Sequence, residues 1–153
     1  MNATSAKDPA VSNTIDAHIR VEIIDELAPA DLNDLCDATD AAIDGGGGFG
    51  WIRPPAREVL ERYWKGVLVV PERHLIIARR DDVICGAVQL IEPSRHNEAQ
   101  NFCANAIACF SAPWARGLGV GRKLMETVEL LALEMGYKVV QVDVRETQTR
   151  AID

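Results

Sequence analysis

Two hydrophobic periods alternate along this chain. Ile19-Arg20-Val21-Glu22-Ile23 switches between apolar and charged positions, which predicts a half-buried strand. Pro29-Ala30-Asp31 opens a helical stripe of Leu32, Leu35, Cys36, Thr39 and Ile43, and the run Gly45 to Gly50 stops it. Arg57 to Tyr63 predicts a second helix, with Val59, Leu60 and Tyr63 or Trp64 on one face. Pro54-Pro55 before it suits a helix start. His74 to Arg79 and Val83 to Ile91 are β-rich runs on either side of Asp81-Asp82, so an antiparallel hairpin is expected. Gly86 inside the second run marks a bulge or a close backbone neighbour. Glu92 to Glu98 is polar, contains Pro93 and reads as a loop. Asn101 to Ser111 returns as a strand, with Phe102, Ala104, Ala106 and Ala108 on one face and Cys103, Ile107 and Cys109 on the other.

The clearest helix carries Val120, Leu124, Val128, Leu131 and Met135, spaced 4, 4, 3 and 4 apart, with Glu126, Glu129 and Glu134 off the stripe. Gly136 ends it in the position just past the last turn. Tyr137 to Val144 is then a strand, with Val140, Val142 and Val144 on one face and Gln141 and Asp143 on the other. A strand, a helix and a second strand in succession predict parallel neighbours joined by a right-handed crossover. The fold class is α/β in the α+β sense: a mixed, mainly antiparallel sheet flanked by helices, without internal repeats.

Composition narrows the partners. At 153 residues the chain is one domain, able to bury roughly 70% of its unfolded surface without disulfides. A net charge of −7 disfavours nucleic acid and anionic membranes as partners, and it is compatible with a cationic or amine substrate. Cys36, Cys85, Cys103 and Cys109 form no C-x-x-C pair, and His18, His74 and His96 show no metal-ligand spacing. Reduced thiols acting as small hydrophobes are expected, and no metal. Residues 1–16 are small and polar and read as a disordered tail without a secretory core. No apolar run reaches the ~18 residues of a membrane span. A cytoplasmic domain from residue 17 to 153 is the expectation.

Two glycine runs compete for chemistry. Gly45-Gly46-Gly47-Gly48-Phe49-Gly50 fits G-x-G-x-x-G, but a helix precedes it and Trp51-Ile52-Arg53-Pro54-Pro55 follows. A dinucleotide fingerprint needs a strand before and a helix within. This run is a loop; Phe49 and Trp51 make it a substrate cover or anchor it to the core. In Ala112-Pro113-Trp114-Ala115-Arg116-Gly117-Leu118-Gly119-Val120-Gly121 the context is right: a strand ends before it and a helix begins inside it. The N–H groups of Leu118 to Arg122 lack partners at the helix start, and glycines let an anion approach them. Gly121-Arg122-Lys123-Leu124 breaks the Walker pattern, because the lysine comes one place late and no hydroxyl follows. Glycines spaced two and two fail the Rossmann pattern.

Arg116-Gly117-Leu118-Gly119-Val120-Gly121 satisfies [Q/R]-x-x-G-x-[G/A] and resembles the GNAT acetyltransferase superfamily. Phe110 to Gly117 looks like that family's strand end and turn, and Val142 to Ile152 like its fifth strand and the turn after it. The resemblance covers residues 17 to 153. It implies a loop that wraps the diphosphate of coenzyme A, with Phe110, Ser111, Arg116, Gly117, Leu118, Gly119, Val120, Gly121 and Arg122 as cofactor-binding residues and acetyl-CoA as co-substrate. It also implies a bulge near Cys109 to Ser111 that splays the strand from its parallel neighbour. The backbone of Phe110 and Ser111 would pair with the pantetheine arm. Gln148 is a further contact to that arm or a solvated turn residue.

The implied reaction is direct transfer of acetyl from acetyl-CoA to a primary amine, on a small molecule or a peptide. A base takes the ammonium proton, a backbone N–H at the bulge stabilises the oxyanion, and an acid protonates the thiolate. Glu98 is the expected base because it stands just before the third β-hairpin-region strand; Glu92 and Asp143 are the other carboxylates. Cys109 is not needed as a nucleophile in direct transfer. The family pattern continues past Ala151-Ile152 into a helix with a Leu-Tyr pair and two strands, whereas this chain ends at Asp153. Tyr63 and Tyr137 do not match that tyrosine. The resemblance therefore implies a domain incomplete at its C-terminus, with a bare sheet edge suited to a homodimer. The alternative function is a catalytically impaired acyl-CoA-binding remnant or regulatory module of the same fold. An unrelated nucleotide-binding fold is a third reading.

Overall fold

Alternation and helical stripes translate directly into nine elements in a computed structural model that describes residues 19–46, 50–94 and 101–142. They are β1 (Ile19–Ile24), α1 (Pro29–Asp44), α2 (Arg57–Val69), β2 (Arg73–Arg80), β3 (Val83–Ile91), β4 (Cys103–Ser111), a 3-10 turn (Pro113–Ala115), α3 (Val120–Glu134) and β5 (Val139–Val142). The five strands form one sheet in the order β1-β2-β3-β4-β5. Every pairing is antiparallel except β4 with β5, which is parallel. The expected crossover through α3 thus joins neighbouring strands. Residues 1–18, with the expected tail, lie outside the described residues, as do Phe49, Glu98, Asp143 and Gln148.

Helices cover both faces. One core packs Leu35, Cys36 and Ile43 of α1 and Leu60, Trp64 and Val67 of α2 against Leu75, Ile77, Ile84 and Ala87 of the sheet. The other packs Val120, Leu124, Val128 and Ala132 of α3 against Ile76, Ala78, Val88, Leu90, Ala104 and Ala106. The central strand β3 is therefore buried on both sides from Ile84 to Leu90. The hairpin turns on Asp81 and Asp82, both at positive φ (51° and 74°), as a two-residue turn matched to strand twist requires. Among the described residues, no helix is long and apolar enough to cross a membrane.

Two boundaries differ from the sequence reading. The second helix continues past Tyr63 to Val69, because Trp64 and Val67 extend its buried face onto the sheet. The third β run begins at Cys103, and Asn101-Phe102 belong to the turn before it. The buried stripe of α3 also drifts from Leu131 to Ala132, with Leu131 and Met135 at its half-buried margin.

A salt-bridge cluster ties α1 to the β1–β2 edge. Arg79 donates from Nη1 and Nη2 to the two carboxylate oxygens of Asp31, both at 2.8 Å, and from Nε to Glu22 at 3.0 Å. The Arg79 side chain is only 11% exposed, so this bidentate pair is poorly screened. The guanidinium holds the Asp31 carboxyl below its ordinary value. A carboxyl lowered on folding stabilises above its unfolded pKa, and that contribution drains away as pH falls through the lowered value. Arg79→Met should cost about 1–3 kcal/mol near neutral pH. Urea titrations should show the gap between wild type and variant narrowing below about pH 4; a gap that stays constant into acid would contradict the pairing.

Candidate functional site

Two one-residue irregularities in neighbouring strands shape the site. In β3, Ala78 pairs with Gly86 but Arg79 pairs with Ile84, so Cys85 is the extra residue. In β4, Ala87 pairs with Phe110 but Gln89 pairs with Ile107, so Ala108 and Cys109 together face Val88. Ala108 stands at φ +54°, a conformation that costs a non-glycine residue about 1–2 kcal/mol. A bulge leaves backbone groups out of the ladder and turns the strand. This is the bulge implied near Cys109 to Ser111, one residue earlier.

The bulge also corrects the expected faces of β4. Ala104 and Ala106 pack toward α3, and so does Cys109, whereas Phe110 and Ala112 join the core under α1 and α2. An inserted residue reverses the side-chain alternation beyond it, so strict parity from Phe102 to Cys109 fails at Ala108.

Gly86 permits a close approach between the two irregularities. A Cβ there would lie 2.6 Å from the Phe110 carbonyl oxygen and 2.9 Å from Val120 Cγ1. Only glycine allows β3, the end of β4 and the start of α3 to meet so closely. Ala112 N–H donates to the Cys85 carbonyl at 2.7 Å and fixes the chain as it leaves β4.

The glycine loop follows. After the 3-10 turn, Gly117 (φ 83°) and Gly119 (φ 79°) are both left-handed, and Gly119 caps α3. The first helical bond runs from Lys123 N–H to the Gly119 carbonyl at 3.0 Å. The amides of Val120, Gly121 and Arg122 therefore precede the internal ladder at the positive end of the helix dipole. A Cβ on Gly117 or Gly121 would meet nothing within 4 Å, so neither glycine is crowded at its Cα. Leading amides of this kind could hold a phosphate group. Arg122 folds back so that its Nη2 lies 3.8 Å from a Cβ placed on Gly119. Arg116 Nη2 comes within 3.6 Å of a Cβ placed on Gly45, beside the carboxyl end of α1, where the dipole is negative.

On the opposite face of the sheet stands a group that sequence reading missed. Gln89 is fully buried; its Oε1 accepts from Arg73 Nη1 at 2.7 Å, and its Nε2 donates to the Tyr63 hydroxyl at 2.8 Å. Trp51 packs edge-on to Tyr63 with ring centroids 5.6 Å apart, Tyr63 meets Trp64 at 5.0 Å, and Trp64 meets Phe110 at 6.2 Å. Trp51 thus anchors its segment to the core. The signal was present: Gln89 is the one amide or charged residue between Val83 and Ile91.

Glu92, one of the carboxylates weighed as a base, serves elsewhere. It receives the Tyr137 hydroxyl at 2.6 Å and lies 2.7 Å from His74 Nε2. The Glu92 carboxylate, bonded to the hydroxyl, pushes the Tyr137 phenol up to about 12. Ile91 pairs with Asn105, so Glu92 stands about four residues, or about 13 Å, from the bulge along β4. Burial pushes the Cys109 and Cys85 thiols up to about 11, so both are protonated at neutral pH. This fits small hydrophobes better than nucleophiles. Among the described residues no cluster of His, Cys, Asp or Glu could hold a metal ion.

A sheet that turns parallel at its last pair, with a bulged strand feeding a glycine-capped helix, is the frame of an acetyltransferase. The Acetyltransferase (GNAT) family matches residues 36–153, and the chain belongs to that family. It is 56% identical over 132 residues to an uncharacterized N-acetyltransferase in the hisH-hisA intergenic region of Azospirillum brasilense, covering 86% of this chain and 79% of that protein. Its fold is similar to that of an aminoglycoside acetyltransferase from an uncultured soil metagenomic sample, solved with trehalose (TM-score 0.66, 17% identity, 91% of this chain and 86% of that one). It is equally similar to yncA of Salmonella typhimurium, solved with its cofactor acetyl-CoA (TM-score 0.66, 12% identity, 88% of this chain and 75% of that one). The chain is therefore an acetyltransferase enzyme.

The tight meeting at Gly86 yields a stability test. Gly86→Ala should lose about 1–3 kcal/mol through overpacking and lower the Tm by several degrees. A Tm equal to wild type would mean that β3, β4 and α3 are not fixed against one another there.

Proposed function

We propose that this enzyme moves the acetyl group of acetyl-CoA to a primary amine by direct attack, without an acyl-enzyme. The observation that carries the reading is the row of leading α3 amides behind two left-handed glycines, at the end of a bulged strand. Acetyl-CoA, when bound, supplies an activated thioester. The amides of Val120, Gly121 and Arg122 bind its diphosphate, each charge-assisted bond contributing roughly 1.5–3 kcal/mol. Arg116, Gly117, Leu118 and Gly119 complete the loop around the anion. The backbone of Phe110 and Ser111 pairs with the pantetheine arm, as an added strand pairs with a sheet edge. A backbone N–H at the Ala108–Cys109 bulge donates to the thioester carbonyl and stabilises the oxyanion.

In this reading Glu98 takes a proton from the ammonium, the free amine then attacks the thioester carbon, and the C–S bond breaks to release coenzyme A as a thiolate that takes up a proton from solvent; Glu92 is engaged by Tyr137 and His74 instead. Cys109, protonated at neutral pH, forms no covalent intermediate. A small-molecule amine is the acceptor class, in keeping with the aminoglycoside-modifying relative of the same fold. Dependence on acetyl-CoA suits a cytoplasmic enzyme.

Calorimetry tests the loop. The wild-type chain should bind CoA, and Gly119→Glu should weaken that binding by about 100-fold or more, since it places a carboxylate against the diphosphate and a side chain at a left-handed position. The far-UV spectrum should keep its helical signal. Absence of heat with the wild type, or equal affinity in the variant, would remove the loop assignment. Thiol release with an amine panel tests the base: Glu98→Gln should lower kcat/KM by about 100-fold or more, with CoA affinity unchanged. Activity near wild type would assign the proton to another group.

A further inference from the structure

Strand β2 carries two arginines toward the α1–α2 side, and they are held differently. Arg79 is bonded to Asp31 and Glu22, so carboxylates cancel its charge. Arg73 instead donates from Nη1 to the Oε1 of Gln89 at 2.7 Å, and among the described residues no carboxylate pairs with it. Gln89 is fully buried, and its Nε2 donates to Tyr63 at 2.8 Å. Its Oε1 is therefore fixed toward Arg73, since turning the amide would set donor against donor. The guanidinium is thus oriented by a neutral group, which leaves its positive charge uncancelled. Half-buried, that charge is weakly screened.

The sheet face beside Arg73 is open and free of negative charge. Cross-strand neighbours run Arg73, Ile91, Asn105 and Gln141 in one row, and Leu75, Gln89 and Ile107 in the next. Such neighbours share a face. On that face Asn105, Val139 and Gln141 are exposed and Ile107 is half-buried, whereas Ala104 and Ala106 on the α3 face are buried. Neither β4 (Cys103–Ser111) nor β5 (Val139–Val142) carries an acidic residue. Gln89 stands one strand spacing, ~4.8 Å, from Ile107, the residue before Ala108. The cation that Gln89 holds therefore borders the approach to the bulge.

We propose that Arg73 is a specificity-determining residue of the acceptor site, binding a carboxylate that the acceptor amine carries. Gln89 occupies one N–H of the guanidinium, and the remaining donors of the planar fork suit two carboxylate oxygens. The Asn105 and Gln141 amides border the same face with hydrogen-bond donors and no charge. The charges match one to one, a single cation to a single carboxylate. The amine itself is no partner for Arg73, because an ammonium is repelled by it and a free amine needs its lone pair for the attack. The acceptor is then an amino acid, its nitrogen reaching the bulge and its carboxylate reaching Arg73, and a plain alkylamine is disfavoured. The assignment rests on the acetyl-transfer reading above and names its acceptor class.

Thiol release with amino acids and their carboxamides tests it, using 4-aminobutyrate and 6-aminohexanoate, each against its own amide. Each pair is nearly isosteric and differs in the negative charge. Wild type should favour the carboxylate of at least one pair by about tenfold or more in kcat/KM, the size of one charge-assisted hydrogen bond. Arg73→Met should bring that ratio toward one, chiefly by raising the KM for the carboxylate. Its kcat/KM for the carboxamide and its CoA affinity by calorimetry should stay unchanged, which separates lost recognition from a damaged fold. The comparison within the wild type needs no variant at all. Carboxylates that give no gain over their carboxamides, or a gain that survives Arg73→Met, overturn the Arg73 assignment alone. A wild type that binds CoA but acetylates no amine of a wider panel overturns the acetyl-transfer reading, and this assignment with it.

Discussion

Everything in the site is referred to one close contact, the meeting of β3 with the end of β4 and the first residue of α3 at Gly86. A side chain there would overlap the Phe110 carbonyl and Val120 at once. Removing it brings a strand backbone, a strand terminus and a helix terminus within van der Waals distance. The helix start cannot then shift along its axis without losing Val120 from the core or striking the strand. Close-packed interiors deform little, so the leading amides of α3 are held at a set distance from the bulge.

The two bulges serve the same contact. Cys85 in β3 and Ala108–Cys109 in β4 each insert a residue, and the strands remain paired between and beyond them. Both strands exchange their faces within a few residues. Ile84 and Phe110 thereby reach the α1–α2 core, while Cys85 and Cys109 turn to α3. A single bulge would leave one strand out of step with the other and expose apolar side chains on one face. The left-handed strain at Ala108 is offset by the burial of Phe110 against Trp64.

Most of the element order was legible because periodicity records burial. Val120, Leu124 and Val128 sit four apart and are buried, and Leu32, Leu35 and Ile43, at helical spacing on one stripe, are buried too. The hairpin at Asp81-Asp82 and the stop at Gly136 were legible from turn chemistry. The glycine loop was legible because left-handed positions leave few choices of residue. The bulge at Ala108 was not, since alanine looks ordinary in a strand and nothing local requires a positive φ. The second helix was cut short at Tyr63 because Lys65-Gly66 interrupts its pattern, while the decisive contacts of Trp64 and Val67 are tertiary. Gln89 was passed over for a related reason: its partners Arg73 and Tyr63 are 16 and 26 residues away, and no local period joins them.

Electrostatics divides between the whole and the site. A chain of net charge −7 presents a diphosphate with an unfavourable distant field, yet that field is screened within about 8–10 Å at ordinary ionic strength. In the proposed binding mode, the α3 amides and the helix dipole would act on that diphosphate over a few ångströms, where they outweigh distant carboxylates. The same division holds across the sheet. Burying the Gln89 carboxamide is costly unless both ends are bonded, and an apolar residue of equal size would fill the space without that requirement. The cost is met with a cation at one end and a phenol at the other.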